Sequence, residues 1–258
     1  MSIIKKFRIK SYKINKEILK IEKLSFKIKN NLILNDLNLE INRGHIKGIL
    51  GPNGAGKSSL FNLIIGLLKP NTGSIFIDTK KINDYPVYTR AKKFQIGYVP
   101  QNGGYFHDLT VYENLKSVSE IVIKNKLDIE KKIEYLISEF SFSNIINLKA
   151  KFLSGGQRKK LVIALALIGN PQILLLDEPF AALDILTIKM IQKIIVNLQS
   201  SSGVTILLCD HQARDLLDCV DSAAIINNGK VIANDTPSNL IKDINAINSY
   251  FGNSFKIN

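Results

Sequence analysis

The residues whose spacing points most clearly to chemistry lie between positions 51 and 59. They match the phosphate-binding pattern G-x-x-x-x-G-K-[ST] at every fixed position, between a short apolar run and an apolar helical pattern that extends to Leu68. Glycines let the backbone wrap closely around an anion, and the N–H groups at a helix N-terminus point at phosphate. We therefore predict nucleotide binding, with Lys57 reaching the terminal phosphates and the Ser58 hydroxyl holding Mg²⁺. The predicted nucleotide-binding residues are Gly51, Pro52, Asn53, Gly54, Ala55, Gly56, Lys57, Ser58 and Ser59.

Two adjacent carboxylates, Asp177 and Glu178, form a second candidate group. They end a continuous apolar run that is short enough for a buried parallel strand. Ligands of open parallel sheets bind beyond the carboxyl ends of the strands. Asp177 is thus placed to accept from Mg²⁺-bound water or from Ser58, and Glu178 to polarise an attacking water. His211 follows the next predicted strand at the same sheet edge, where it is predicted to contact the γ-phosphate; the alternative is a structural histidine beside an exposed acidic strand end.

A second glycine-containing helix start lies at residues 153–157. A serine and two glycines open a predicted helix over residues 155–168 and form another N-terminal anion site. A single chain rarely needs two such sites for one triphosphate. Supplied to a second copy of the protein, however, the loop closes over that copy's nucleotide. These residues, called the signature loop below, are Leu153, Ser154, Gly155, Gly156 and Gln157.

The rest of the pattern predicts an α/β fold that positions these groups. Residues 19–41 alternate apolar and polar side chains, which is typical of two half-buried antiparallel strands with a turn at Asn30–Asn31. Helical spacing dominates between Thr110 and Lys151, which indicates a helical insertion between strands of the core. Further strands are predicted at 46–50, 74–78, 96–99, 173–176, 205–209, 222–226 and 230–233, and further helices at 155–168, 185–200, 213–219 and after Thr236–Pro237.

Length and composition exclude several classes of protein. The 258 residues are 45% hydrophobic, enough for a large globular core. The most continuous apolar run, residues 161–168, falls short of the roughly 18 residues that span a bilayer. No secretory signal is recognised at the start of the chain, so we expect a cytoplasmic location. Cys209 and Cys219 have apolar neighbours, which predicts reduced core thiols and neither a disulfide framework nor a metal site.

The formal net charge of +13 raises the question of nucleic-acid binding. The basic residues are mostly lysines spread along the whole chain, without an aromatic-rich basic stripe, so we predict no nucleic-acid partner. Attraction to anionic lipid headgroups is compatible with the same charge. The most basic segment is residues 1–18, predicted to be a solvated arm or a short added strand.

The motifs together resemble the ABC ATPase family, and the resemblance extends from Leu24 to Gly252. It implies a P-loop NTPase core, with a mixed, mostly parallel sheet and an antiparallel β subdomain, and an inserted α-helical signature subdomain. The implied division of the chain is a basic arm at 1–18, a single ATPase domain at 19–252 and a tail at 253–258. Within the domain, 19–105 and 170–252 are the nucleotide-binding core and 106–169 the helical subdomain. In chain order, the matching motifs are residues 51–58, Gln101, the signature loop, residues 173–178, the D-loop segment 182–184 and His211.

This resemblance also implies cofactors, partners and residue roles. ATP and Mg²⁺ bind in paired sites of a head-to-tail homodimer, each site combining one copy's phosphate loop with the other copy's signature loop. The helical insertion docks on transmembrane permease subunits. By resemblance, Lys57, Glu178 and His211 are catalytic, Asp184 belongs to the D-loop, and the metal ligands are Ser58, Gln101 and Asp177.

Within the family, several segments resemble the ATPases of lipopolysaccharide export. Phe106 matches a phenylalanine that in that branch lies in the groove for the permease's coupling helix; the alternative is a core aromatic. The resemblance implies extraction of lipopolysaccharide from the inner membrane, by a protein held peripherally on its cytoplasmic face through its partners. Two alternatives are an ATPase of a branched-chain amino-acid importer and a non-transport ABC ATPase such as an iron–sulfur assembly scaffold. The matching segments are residues 88–91, 96–101, 109–115, 177–181, 210–217 and 250–255.

Two positions depart from the family pattern. The aromatic residue that usually stacks on adenine is replaced by Ile28, with Phe26 nearby. Because phosphate contacts carry no base identity, we expect modest selectivity between ATP and GTP. The helix after the signature loop has Leu165 where an arginine is usual, which affects local packing more than the reaction.

Overall fold

The computed structural model describes residues 16–252 and residue 255. Alternating apolar side chains in the N-terminal half form a four-stranded antiparallel sheet, with strand order β2-β1-β4-β5. The apolar side chains of its inner face are buried, as the alternation predicts. The strands of this sheet are β1 (Glu17–Ile28), β2 (Asn31–Asn42), β4 (Thr72–Ile77) and β5 (Lys80–Lys81).

The second sheet has six strands in the order β10-β9-β3-β8-β7-β6. Its strands pair in parallel from β9 through β6, and β10 adds an antiparallel edge. The central strands are buried along their length, because helices and the first sheet cover both faces. The strands are β3 (Ile46–Leu50), β6 (Ile96–Val99), β7 (Ile173–Asp177), β8 (Thr205–Cys209), β9 (Ser222–Asn227) and β10 (Lys230–Asp235).

Two hydrophobic clusters divide the core between them. One cluster fills the space between the two sheets and around α1, and the other joins the opposite face of the six-stranded sheet to the helices of the insertion. Among the described residues, no helix is long and apolar enough to cross a membrane. The helices are α1 (Lys57–Ile65), α2 (Val87–Lys93), α3 (Val111–Val122), α4 (Lys126–Phe140), α5 (Gly155–Ala166), α6 (Ile185–Ser202), α7 (Ala213–Leu217), α8 (Pro237–Leu240) and α9 (Ile244–Ala246).

The α/β prediction is confirmed, with differences at several elements. Strand β1 begins at Glu17, inside the predicted arm, and residues 1–15 lie outside the described part of the chain. The predicted terminal helix is wrong as a single element: α8, α9 and a π-helical turn at Ile247–Phe251 follow one another, and the Thr236 side chain makes no capping hydrogen bond. Helix α2 was not predicted, because its apolar face is too short to show a helical period.

The two cysteines are buried free thiols, as predicted. Burial raises the pKa of both thiol groups, so each stays protonated and unreactive at neutral pH.

Candidate nucleotide site

The predicted phosphate loop joins β3 to α1, the strand–loop–helix context that its pattern requires. Gly56 has a φ of 100°, and a Cβ there would lie 2.6 Å from Leu34 Cδ2. Only glycine therefore fits where the loop passes the first hairpin. The first turn of α1 carries no acidic side chain, and no side chain caps it. Its N–H groups and the positive end of its dipole are thus directed toward the concave side of the loop, where an anion binds.

Lys57 is buried and its ammonium group is held by the loop itself. Nζ donates to the carbonyl oxygens of Gly51, at 2.7 Å, and Pro52, at 2.9 Å. These two bonds orient the cation across the loop, where bound phosphate oxygens compete for the same protons. The Lys57 ammonium group is therefore held within the phosphate loop, where its predicted role places it.

Asp177 ends β7 and is almost completely buried, 3% exposed, beside Ser58 at the start of α1. The Ser58 hydroxyl donates to its Oδ1 at 3.3 Å. Tyr98 donates to Oδ2 at 3.3 Å, and the Cys209 thiol to Oδ1 at 2.9 Å. Burial, followed by the charge of Asp177, raises the pKa of both donors, so they remain protonated around the carboxylate.

These oxygen atoms fit a Mg²⁺ ion. Magnesium prefers hard oxygen ligands and uses few protein ligands beside substrate phosphates. A hydroxyl and a carboxylate lie together at the N-terminal end of the phosphate loop's helix, with the Gln101 side chain at the same sheet edge. Neither Tyr98 nor Cys209 was identified from the sequence as a partner of Asp177, because their proximity depends on three strands lying side by side.

Glu178 lies at the centre of a second cluster formed by the ends of β6, β7 and β8. The Gln101 Nε2 donates to Glu178 Oε2 at 2.7 Å, and His211 Nδ1 lies 3.7 Å from the same oxygen. The Glu178 backbone is in the left-handed region, φ 47°, and its N–H donates to Cys209 O at 2.8 Å. The two adjacent carboxylates have different partners: Asp177 accepts from Ser58, and Glu178 accepts from Gln101. The structure thus brings together three of the predicted residues.

A buried carboxylate that was not predicted, Asp210, lies next to this cluster. It is fully buried, and its Oδ2 accepts from Phe180 N at 2.9 Å while Oδ1 accepts from Gln212 N at 3.0 Å. His211 Nδ1 lies 3.6 Å from Asp210 Oδ1. The sequence contained one signal, an acidic residue directly before the histidine at a strand end.

The signature loop caps its own helix. Ser154 is the N-cap of α5: its Oγ accepts from Gln157 N at 3.3 Å, and Gln157 Oε1 accepts from Ser154 N at 2.9 Å. This capping box fixes the loop at the helix start. Leu153 is buried, and Gly156 packs against Thr187 of α6. The loop is therefore a rigid helix terminus.

Asp184 is the N-cap of α6. Its carboxylate accepts from Thr187 N at 3.0 Å and from Thr187 Oγ1 at 2.5 Å. These bonds lower the pKa of the Asp184 carboxyl. The predicted D-loop residue thus begins the helix that supports the signature loop.

Phe106 is half exposed, so the alternative that it is a core aromatic is wrong. Its backbone is held on both sides by the buried Asn114, whose Oδ1 accepts from Phe106 N at 2.7 Å and whose Nδ2 donates to Phe106 O at 3.0 Å. The aromatic ring is thereby presented on a fixed segment.

The hairpin of β1 and β2 contains the position where the family usually has an aromatic residue that stacks on adenine. Phe26 is buried there and Ile28 is 49% exposed, so the exposed apolar side chain at this position is aliphatic.

The family model described as ABC transporter matches residues 34–181, more than half of the chain. The chain belongs to the ABC transporter family. The predicted resemblance is confirmed, and the phosphate loop, the acidic residues at 177–178 and the signature loop all lie inside the matched region.

Two relatives of this ABC chain are lipopolysaccharide export system ATP-binding proteins, LptB. The Haemophilus influenzae protein is 40% identical over 245 residues, which are 93% of this chain and 99% of the relative. The Escherichia coli K12 protein is 36% identical over 228 residues, 87% of this chain and 93% of the relative. The similarity therefore covers nearly the full length of both.

Solved structures of ABC cassettes have the same fold. The ADP conformation of MJ1267, an ATP-binding cassette of an ABC transporter, superposes with a TM-score of 0.82 at 27% identity, covering 92% of this chain and 100% of that one. A dimeric post-hydrolysis structure of the cassette MJ0796, bound to ADP and Pi, gives a TM-score of 0.76 at 27% identity, covering 85% of this chain and 99% of that one. The predicted P-loop NTPase fold is confirmed.

Proposed function

We propose that this ABC chain is the ATP-hydrolysing subunit of a transporter that extracts lipopolysaccharide from the inner membrane. The assignment of lipopolysaccharide as the transported substrate depends on the near-full-length similarity to two proteins named for that export system. Hydrolysis is supported by the convergence of Ser58 and Asp177 in one cluster and of Gln101, Glu178 and His211 in the next.

In the proposed reaction, ATP binds along the phosphate loop. The N–H groups of α1 and the Lys57 ammonium contact its terminal phosphates and oppose the negative charge of the transferred group. A bound Mg²⁺ ion would supply positive charge that opposes the negative charge of the phosphates. Ser58, Gln101 and Asp177 are its proposed ligands: the Ser58 hydroxyl bonds to the buried Asp177 carboxylate, and the Gln101 side chain lies at the same sheet edge.

Glu178 is the proposed group that polarises the attacking water. Its carboxylate is held by Gln101 and lies beside a histidine, so the side chain is directed before any water arrives. His211 is the proposed donor of a hydrogen bond to the γ-phosphate, and its ring lies beside Glu178. Asp210, buried below the histidine, limits the positions that its ring adopts.

The signature loop acts on the nucleotide of a second copy in this proposal. The capping box rigidifies Ser154 and Gln157, leaving N–H groups of the α5 start available to an anion from outside the chain. The head-to-tail homodimer that follows has two ATP sites, each completed by the partner's signature loop and its Asp184 segment. ATP binding closes the dimer, and hydrolysis with product release reopens it.

The proposed membrane partner docks at Phe106. The exposed ring on a segment held by Asn114 offers an apolar contact of fixed geometry, which is what an inserting helix requires. The chain is then peripheral on the cytoplasmic face of the inner membrane, held there by permease subunits.

The experiment that tests this proposal is purification of the protein from native membranes in mild detergent, with identification of the co-purifying proteins and measurement of ATP turnover. We expect lipopolysaccharide permeases and Mg²⁺-dependent release of phosphate. Amino-acid permeases would instead assign the chain to an importer, and an ATP-inactive complex would refute hydrolysis.

A further inference from the structure

One lysine of α5 reaches across to the strand ends of the core. Lys159 lies in the second turn of α5, five residues after Ser154, and its side chain is partly buried. Its Nζ donates to the carbonyl oxygen of Gln101 at 3.4 Å and to that of Glu178 at 3.3 Å. These two acceptors belong to different segments, one after β6 and one after β7.

The two acceptors belong to residues whose side chains also bond to each other. Gln101 Nε2 donates to Glu178 Oε2 at 2.7 Å, so the lysine fixes the backbones of a pair that is already joined through its side chains. Glu178 has a positive φ, a backbone conformation that a non-glycine residue keeps only where its surroundings hold it. The position of its backbone therefore depends on contacts such as the one from Lys159. Burial lowers the pKa of the Lys159 ammonium group, while the negative charges of Asp210, Asp177 and Glu178 attract the cation and oppose that shift.

We propose that Lys159 is a positioning residue that couples the signature helix to the carboxylate that directs water. Its ammonium group holds the Gln101 and Glu178 backbones at a fixed distance from α5, so a displacement of α5 moves the Glu178 carboxylate with it. The inference rests on the proposed hydrolytic function and adds a residue to which that function assigned no role. Lys159 contacts backbone atoms only, and it acts on turnover through Glu178.

The adjacent lysine provides a matched control on the same helix. Lys160 Nζ donates to Phe140 O at 3.0 Å, at the C-terminal end of α4. That contact joins α5 to α4 and does not reach the strand ends. Both lysine side chains are partly buried and donate to carbonyl oxygens. Lys160→Met therefore removes a comparable cation from α5 without releasing the strand ends.

The test compares Lys159→Met, Lys159→Arg and Lys160→Met in the full-length protein with its co-purifying partners. For Lys159→Met we expect kcat to fall about 10- to 100-fold with KM for ATP nearly unchanged, because misplaced groups slow the chemical step without weakening phosphate contacts. Lys159→Arg restores most of kcat, since a guanidinium also donates to two carbonyls. Lys160→Met keeps kcat within about twofold of the wild type, as expected for a site distant from reacting atoms.

Thermal unfolding and the nucleotide affinity of each variant serve as controls for correct folding. A Lys159→Met protein that binds ATP normally and turns it over at the wild-type rate overturns the inference, while leaving the proposed hydrolysis intact. An equal loss of kcat in Lys160→Met also overturns it, since the effect then belongs to the helix as a whole. A wild-type protein without ATP turnover refutes the proposed function itself.

Discussion

The two glycines of the signature loop have different surroundings. Replacing each of them by alanine therefore distinguishes an effect on folding from an effect on ATP turnover. An added Cβ at Gly156 would lie 2.5 Å from Thr187 Cγ2, closer than such atoms approach in proteins. Thr187 is not free to turn away, because its hydroxyl and its N–H both bond to Asp184. At Gly155 the nearest atom is Leu183 Cδ2 at 3.4 Å, an ordinary contact.

The magnitude follows from these contacts. Overpacking of this kind costs about 1–3 kcal/mol, and the better helix propensity of alanine returns up to about 1 kcal/mol. We expect Gly156→Ala to lower the free energy of unfolding by about 1–2 kcal/mol, equivalent to a melting temperature lower by about 2–8 °C in a chain of this size. Gly155→Ala should leave the melting temperature unchanged or raise it slightly, since only the propensity term applies.

The assay is thermal unfolding of the nucleotide-free protein, followed by circular dichroism. Thr187→Ser removes the clashing methyl group and keeps the hydroxyl that bonds to Asp184, so it should restore the melting temperature of Gly156→Ala. Steady-state phosphate release is measured on the same proteins. Gly155→Ala should lose about 100-fold in turnover despite its intact fold, because its methyl group obstructs the N–H groups offered to the partner's nucleotide.

Three results would refute this reasoning separately. An unchanged melting temperature in Gly156→Ala would show that the loop relaxes around the added methyl group. A lowered melting temperature that Thr187→Ser does not restore would show that the Thr187 methyl is not the cause of the destabilisation. Full-speed ATP hydrolysis by Gly155→Ala would remove the signature loop from the reaction, and the shared-site dimer with it.

Three further predictions address other parts of the molecule. Glu178→Gln should bind ATP normally and lose about 10²- to 10⁴-fold in turnover, measured by phosphate release; a normal rate would exclude Glu178 from catalysis. Arg90 is buried and donates to the carbonyl oxygens of four residues, so Arg90→Lys should lower the unfolding free energy by about 2–4 kcal/mol in chemical denaturation. An unchanged midpoint there would mean that the carbonyls find other donors. Phe106→Ala should reduce the amount of co-purifying permease without changing the melting temperature, whereas equal recovery would place the docking surface elsewhere.

Local sequence was sufficient for features built from neighbouring residues. The phosphate loop, the capping serine of the signature loop and the apolar strand before Asp177 depend on short-range rules of glycine conformation, helix capping and hydrophobic period. Element ends were less accurate: α6 continues to Ser202, and α5 ends at Ala166, two residues before the predicted end. The short α2 was missed because packing, and not its own pattern, holds it in place.

The contacts that prepare the site for chemistry join residues far apart in the chain. Gln101 meets Glu178 across 77 residues, and Cys209 meets Asp177 across 32, because β6, β7 and β8 lie side by side in the sheet. The sequence determined which side chains are present and that the acidic residues end a strand. Only the tertiary structure decided three other contacts: Lys159 bonds to two strand ends, Thr187 packs against Gly156, and Asp210 lies beside His211. Each contact depends on strand order and helix placement, which no local sequence pattern specifies.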